Sequence, residues 1–441
     1  MTFSTDPSFT NGSQSLSKGF VLAAPHSGAG KTTLSIGLMR ALKRRGLDIS
    51  PAKVGPDYID PQFHEVASGV PSFNLDGWAM GAETLNYLGE AMARDGALCV
   101  VEGVMGLFDG AVKPGVLGHG ATCEIAKFFK LPVILVVDCA GMGQSVAALV
   151  KGFAEFDKDV HIAGVILNKL GSLRHVTMME QALEQIGMPV VGAIPRFEEM
   201  VLPSRHLGLV QATESSETDS QIDRIADHVE AHISVDRIAE LARPFCIEGF
   251  YPSEGIPPLG QHIAVAEDDA FRFFYPHLKR GWSEAQATLS FFSPLNDEAP
   301  NKSADAIYLP GGYPELYAGR LAASDNFMKG LRAAAAEGKI VYGECGGYMT
   351  LGSGLIDKDG VRHKMADLLP LETSFAKRKL HLGYRHVKRG DGKVFRGHEF
   401  HYASIEKEEG EALFSDAEGS SHYGLQSEKV SGSFVHLIDA A

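Results

Sequence analysis

The stretch Pro25-His26-Ser27-Gly28-Ala29-Gly30-Lys31-Thr32-Thr33 joins small residues, a lysine and hydroxyls in a pattern that binds phosphate. With no bulky side chains in the way, successive backbone N–H groups can converge on phosphate oxygens at a helix N-terminus. Lys31 is expected to reach the β- and γ-phosphates, and the Thr32 hydroxyl to face a magnesium ion. Ser27, Gly28, Ala29, Gly30 and Thr33 complete the expected ATP contacts, although Pro25 stands where the general pattern has its first glycine. Acids follow in two glycine-containing loops, Asp57 and Asp60 within Lys53–Pro61, Glu102 and Asp109 within Glu102–Gly110. An apolar run ending in an acid, as Ala97–Val101 ends in Glu102, is the layout in which a carboxylate holds magnesium. A carboxylate about 4 Å from one phosphate charge is repelled by about 4 kcal/mol at an effective dielectric of 20. Several acids around a triphosphate therefore require a divalent cation, expected here to be Mg²⁺.

A second chemistry sits near the other end of the chain. In Gly343-Glu344-Cys345-Gly346-Gly347-Tyr348-Met349 a thiol is flanked by glycines between an apolar run and a helical pattern. That is an elbow, with tight backbone, a presented nucleophile and a helix N-terminus beside it. The location is expected to lower the thiol pKa from about 8.5. A helix dipole supplies only about 0.3–1 kcal/mol, under one pKa unit, so a basic partner is needed as well. His436, in Gly432-Ser433-Phe434-Val435-His436, is the candidate base.

The elements that must position these groups are readable as apolar runs. Gly19–Ala24 before the glycine loop reads as a buried strand, and Leu34, Leu38, Met39 and Leu42 after it follow helical spacing. Further strands are expected at 49–54, 97–101, 132–137, 162–167 and 189–194, each followed by helical pattern. Continuous apolar strands alternating with helices imply a parallel sheet buried on both faces. Asn168, just past one strand, suits hydrogen bonding to an adenine edge, while a turn-forming role explains it as well. Arg205 and His206 put two side chains that can carry positive charge on a loop, either for an anionic substrate or as plain surface. The Pro- and Gly-containing stretch before Ile263 marks a boundary. The expected division is a disordered tail over 1–17, a nucleotide-binding domain over 18–240, a linker over 241–260 and a thiol-bearing α/β domain over 261–441.

Composition narrows the function. A net charge of −14 lacks the basic footprint of a nucleic-acid binder. No apolar stretch reaches the roughly 18–20 residues of a membrane span, and no basic amphipathic helix suggests a membrane surface. The polar N-terminus lacks a signal-peptide core, and the five cysteines show no paired spacing, so a cytoplasmic, disulfide-free protein is expected.

As a set, Ser-Gly-Ala-Gly-Lys-Thr-Thr, Lys-Val-Gly-Pro-Asp-Tyr-Ile-Asp-Pro, Glu-Gly-Val-Met-Gly-Leu-Phe-Asp-Gly, Arg-His-Leu-Gly-Leu and Gly-Glu-Cys-Gly-Gly-Tyr-Met resemble a known family. The first half resembles the dethiobiotin-synthetase-like amidoligases and the second the class I glutamine amidotransferases. Their order is similar to that of the cobyrinic or hydrogenobyrinic acid a,c-diamide synthases. The resemblance implies an α/β protein with an N-terminal P-loop parallel sheet flanked by helices and a C-terminal class I amidotransferase-like α/β domain. It implies ATP- and glutamine-dependent amidation of a polycarboxylate corrinoid or related tetrapyrrole, and leaves a homodimer open. Carried over, Asp57, Tyr58 and Asp60 would bind substrate, with Arg205 and His206 as further candidates. Thr32, Asp57, Glu102 and Asp109 would hold the metal; Cys345 would be the glutaminase nucleophile, His436 its base, and the backbone near Gly312 and Gly346 the oxyanion donors. The usual triad has Glu two residues after His, but Leu437 and Ile438 follow here. Either Cys345 and His436 act as a dyad or an acid from elsewhere, with Glu399 a candidate, orients the imidazole. Synthases of other tetrapyrroles, such as nickel sirohydrochlorin, share this architecture, and the first half alone also suits a partitioning-type switch ATPase.

Overall fold

The computed structural model describes residues 17–196, 204–205, 208–209, 218–247, 255–416 and 419–441. His206 lies outside the described residues, and of Arg205 only the backbone is described.

The first sheet contains β1 (Lys18–Ala23), β2 (Ile49–Val54), β3 (Phe73–Leu75), β4 (Leu98–Glu102), β5 (Val133–Asp138), β6 (Ile162–Leu170) and β7 (Val190–Pro195), in spatial order β3-β2-β4-β1-β5-β6-β7. All of these strands run parallel, and β1, β2, β4 and β5 are buried along nearly their whole length. That is why the sequence shows continuous apolar runs there rather than alternation. The order reverses around β1, so the glycine loop after β1 opens where parallel sheets bind ligands. Helix α1 (Lys31–Arg44) follows at once, and α2 (Asp60–Ser68) follows β2. A short ribbon, β8 (Ser204–Arg205) with β9 (Gly208–Leu209), comes next. Part of the stretch expected as a linker joins this unit: β10 (Arg243–Pro244) pairs with β1, and Phe245 packs on Phe129 with ring centroids 4.4 Å apart. At the other end Ser17, placed in the expected tail, is buried, and its hydroxyl donates to Ala93 O at 2.8 Å. The rest of that tail lies outside the described residues.

The second unit starts with parallel β11 (His262–Ala266), β12 (Thr288–Phe292), β13 (Ala306–Leu309) and β14 (Ile340–Glu344). Beyond the elbow it becomes mainly antiparallel. β15 (Gly354–Ile356), β16 (Arg362–Lys364), β17 (Leu371–Ser374) and β20 (Ser404–Glu408) form a small sheet, whereas β18 (His381–Arg389), β19 (Val394–His401), β21 (Glu411–Asp416), β22 (His422–Ser427), β23 (Val430–Ser433) and β24 (Val435–Ala440) extend the large one. Its order is β12-β11-β13-β14-β23-β22-β21-β18-β19-β24. The sequence reading did not anticipate these strands, because β18 and β19 are rich in His and Arg and β18 is largely unburied. They offer no apolar run to read.

Named hydrogen bonds hold the two units together. Asp439 Oδ2 accepts from Thr84 Oγ1 at 2.8 Å and from Gly81 N at 3.1 Å, Arg396 donates to Ala79 O at 2.8 Å, and Tyr275 donates to Pro56 O at 3.2 Å. Tyr384 stacks on Trp78 (4.4 Å, 11°) and donates to Asp76. Phe273, Tyr275, Tyr313 and Ile438 of the second unit belong to the hydrophobic core of the first.

Candidate functional site

At the C-terminal ends of β1, β2 and β4 the chain builds a compact ionic cluster. Parallel register sets Leu22 beside Glu102 and Lys53 beside Glu102, so one carboxylate faces both the glycine loop and the second strand. Thr32 Oγ1 donates to Glu102 Oε1 at 2.6 Å and lies 3.1 Å from Asp60 Oδ2. Lys53 Nζ bridges the same two carboxylates, 2.5 Å from Asp60 and 2.8 Å from Glu102, while His64 Nε2 meets the other Glu102 oxygen at 2.6 Å. Burial opposes ionisation of Glu102, but Lys53 and His64 outweigh it and hold the carboxyl well below its usual range. Asp60 is pushed up to about 6, first by burial and then by Asp57. Lys31 is lowered to about 8 by burial and by Lys53.

The expected metal set is thus partly brought together. Thr32 and Glu102 meet, and Asp60, expected as a substrate ligand, joins them. Asp57 Oδ1 instead accepts from the Ile59 and Asp60 N–H groups at the start of α2, and Asp109 Oδ2 accepts from Gly106 N at 2.9 Å. Lys53 was missed by sequence reasoning; its signal was a lysine inside an otherwise uncharged, fully buried strand.

The glycine loop is braced rather than open. Gly28 (φ 79°) and Gly30 (φ 95°) hold left-handed backbone, and a Cβ at Gly30 would lie 2.4 Å from Asn168 Nδ2. Asn168 donates to Ala29 O at 2.8 Å and accepts from Lys169 N at 2.9 Å, so its amide braces the loop. Lys169 reaches Gly28 O at 2.9 Å. Ser27 and Gly28 are exposed, Ala29 and Lys31 buried, and Lys31 Nζ donates to the Met105 carbonyl, whose residue takes the uncommon φ of 45°.

The thiol site lies at the end of β14. Cys345 takes φ 47°, ψ −100°, a strained conformation that leads straight into the short helix Gly346–Leu351. Its N–H donates to Ser433 O at 2.8 Å, tying the elbow to β23. The expected lowering of the thiol pKa is not found. Burial, reinforced by Glu315, pushes the Cys345 thiol up, against a smaller opposing effect of the Gly346 N–H. A helix of this length contributes little dipole. Gly346 and the Gly312 N–H, the expected oxyanion donors, are neighbours: a Cβ on Gly346 would lie 3.0 Å from Gly312 N.

His436 is completely buried, and among the described residues neither ring nitrogen has a hydrogen-bond partner. Burial, then His398 and His401, lowers it to about 3, so the imidazole is neutral at physiological pH. Glu399 turns away to Arg385 (2.6 Å) and His401 (3.0 Å). The acid nearest His436 Nδ1 is Glu344, at 3.8 Å, held by Tyr308 Oη at 2.9 Å and Tyr342 Oη at 3.2 Å and pushed up to about 7 by burial. Sequence reasoning missed Glu344, although it adjoins the thiol. It missed Gly311 too, where a Cβ would lie 2.3 Å from His436 Cε1. His381, Glu399 and His401 also bring ligand atoms within 4.8 Å of one another. The two rings lie parallel at 4.6 Å and 3°, however, and stacked imidazoles cannot aim lone pairs at a common ion.

The two sites meet at Tyr58. This residue is buried; its ring centroid lies 4.3 Å from that of His436 and it stacks on Phe273 at 5.0 Å and 17°. A cavity of about 280 Å³ between the units is lined by Asp57, Tyr58 and Met105 on one side and Tyr384, His398 and Phe400 on the other.

Residues 20–210 match the CobQ/CobB/MinD/ParA nucleotide binding domain family, and residues 262–441 the CobB/CobQ-like glutamine amidotransferase domain family. Across 96% of its length the chain is similar to proteins named hydrogenobyrinate a,c-diamide synthase. It is 54% identical over 433 residues to that of Brucella anthropi and 53% over 433 residues to that of Brucella abortus, and 48% over 438 residues to that of Rhodobacter capsulatus. In each case the match covers 98% of the relative. Among the described residues no helix is long and apolar enough to cross a membrane.

Proposed function

Because the chain belongs to the hydrogenobyrinate a,c-diamide synthases, glutamine-hydrolysing ligases of cobalamin biosynthesis, we propose that it amidates the a- and c-acetate carboxylates of hydrogenobyrinic or cobyrinic acid. ATP is the phosphoryl donor in this reading, and glutamine supplies one nitrogen per amide. The observation that carries it is a single loop touching both chemistries, with Asp60 against Thr32 and Tyr58 against His436.

A carboxylate is a poor acceptor for ammonia, because its carbonyl is electron-rich and oxide leaves badly. In the proposed course a substrate carboxylate oxygen attacks the γ-phosphorus and the bond to ADP breaks. The resulting acyl phosphate has a good leaving group. Backbone N–H groups of Gly28–Thr33 and the Lys31 ammonium oppose the negative charge that gathers on the phosphoryl oxygens. The acids Asp57, Asp60, Glu102 and Asp109 outnumber the lysines Lys31 and Lys53 by two, and Thr32, Asp60 and Glu102 converge as oxygen donors. That donor set suits a hard divalent cation, so these three residues would hold Mg²⁺, which would supply charge neutralisation between phosphate and carboxylates.

In the other unit the Cys345 sulfur attacks the glutamine amide carbon, and His436, neutral and positioned, carries the thiol proton to the departing ammonia. The Gly312 and Gly346 N–H groups would face the oxyanion, and Glu344 would orient the imidazole. Water then cleaves the thioester to glutamate. Ammonia released into bulk water would be mostly protonated and inert, so the dry junction around Tyr58 and Phe273 favours direct delivery to the acyl phosphate. Nitrogen attack on its carbonyl carbon expels phosphate.

The test is Cys345→Ala. Glutamine-dependent amidation should fall by about 10³-fold or more, while amidation driven by ammonium survives. Loss of both activities in a folded variant would overturn the division of labour. Product masses from macrocycle with and without cobalt identify the preferred substrate.

A further inference from the structure

Tyr58 belongs by sequence to the ligase unit and by contact to the glutaminase. Its backbone lies between Asp57, which caps the start of α2, and Asp60, which touches Thr32 and Lys53. Its ring is packed against His436, Phe273 and Tyr275, the last at 5.1 Å. Among the described residues neither His436 nitrogen has a hydrogen-bond partner, and the nearest acid oxygen, of Glu344, is 3.8 Å away, so contacts on its faces and edges help set the attitude of the ring. Gly311 leaves no room on one side, and Tyr58 supplies contact on another. Two cavities, of about 280 and 590 Å³, both include Tyr58 and Phe273 in their lining, so this pair is a wall common to both.

We propose that Tyr58 is a positioning residue for the glutaminase, through which the occupancy of the ligase site is transmitted to the His436 imidazole. The physical basis is short. Asp60, one of the donors that would hold the cation, and Tyr58 share one short loop, so any shift of that loop on loading the ligase site changes the packing on His436. Coupling between sites typically spans a factor of about 5–150.

The inference rests on the amidotransferase reading above, and the experiment separates the two. Glutamine hydrolysis is measured with and without Mg-ATP and the macrocycle, at concentrations that saturate ammonium-driven amidation by the same variant. In the unaltered protein, ligase-site ligands should change the glutaminase kcat by about fivefold or more. In Tyr58→Ala that factor should fall to near one, with the change in kcat rather than in KM for glutamine. Tyr58→Phe, which keeps the ring, should restore it. Phe273→Ala removes the stack from the glutaminase side and should weaken the factor too, which keeps the test alive if Tyr58→Ala does not fold. An unchanged factor in Tyr58→Ala or in folded Phe273→Ala, or no effect of the ligands on the unaltered protein, overturns the inference alone. No glutamine hydrolysis under any condition overturns the amidotransferase reading itself.

Discussion

The ligase and thiol sites occupy the same place in their sheets, the C-terminal ends of parallel strands, yet they keep their reactive groups in opposite states. Around Glu102 every charged group has a close partner: Thr32, Lys53 and His64 surround it. Around Cys345 the reactive groups are buried, with His436 lacking a hydrogen-bond partner among the described residues and the thiol raised by burial. A site proposed to receive a triphosphate and a cation can hold buried acids beforehand only by pairing them internally, since an unpaired buried charge costs several kcal/mol. A site proposed to work with a neutral amide and a neutral imidazole needs no such pairing. It needs geometry, supplied here by glycine clearances and aromatic faces.

The largest test of that contrast is Lys53→Met. Asp60 and Glu102 would lose their bridge, and amidation from glutamine and from ammonium alike should fall by about 10²–10³-fold, with glutamine hydrolysis largely kept. Equal loss in both assays would show that the two sites are not electrostatically separate. The opposite arm is Gly311→Ala, whose Cβ would displace the His436 ring. Glutamine hydrolysis should drop by about 10²-fold while ammonium-driven amidation persists. Intact hydrolysis would mean that the imidazole position is not critical.

Glu344→Gln gives the smallest effect and the sharpest view of the thiol site. We expect about a tenfold loss in glutaminase kcat, together with a stability effect whose sign is fixed by burial. The Glu344 carboxyl is raised from its usual 4.5 to about 7, so the folded protein holds this proton more tightly than the unfolded chain. The stability it contributes is complete below pH about 4.5 and is lost as pH rises through about 7, a change of about 3 kcal/mol. The variant should therefore gain in Tm over the parent between pH 5 and pH 8. A constant difference across that range would mean that Glu344 is not the raised group.

Much of the ligase half was legible because its chemistry is contiguous: glycine loop, lysine and threonine lie in one run, and most buried strands show as apolar runs, the three-residue β3 being too short to do so. The thiol elbow was legible for the same reason. What escaped was set by register and by approach between distant segments. Lys53 becomes the partner of Glu102 only because β2 and β4 are neighbours in the sheet, and Glu344 faces His436 only because β14 ends near where β24 begins. That Asn168 braces the glycine loop escaped as well, since nothing in its local sequence shows that Ala29 lies opposite. The pKa of Cys345 went against expectation because burial outweighs the field of a short helix.

The sequence by itself determined the reactive groups, the parallel strands that carry them and the division into a phosphate-binding half and a thiol half, since all of these depend on residue type and short-range spacing. Only the tertiary structure decided which acid pairs with which base, and that Tyr58 of one half packs on His436 of the other. Those pairings arise where chain segments far apart in sequence are forced into contact by the burial of a shared core, and no local pattern encodes such a contact.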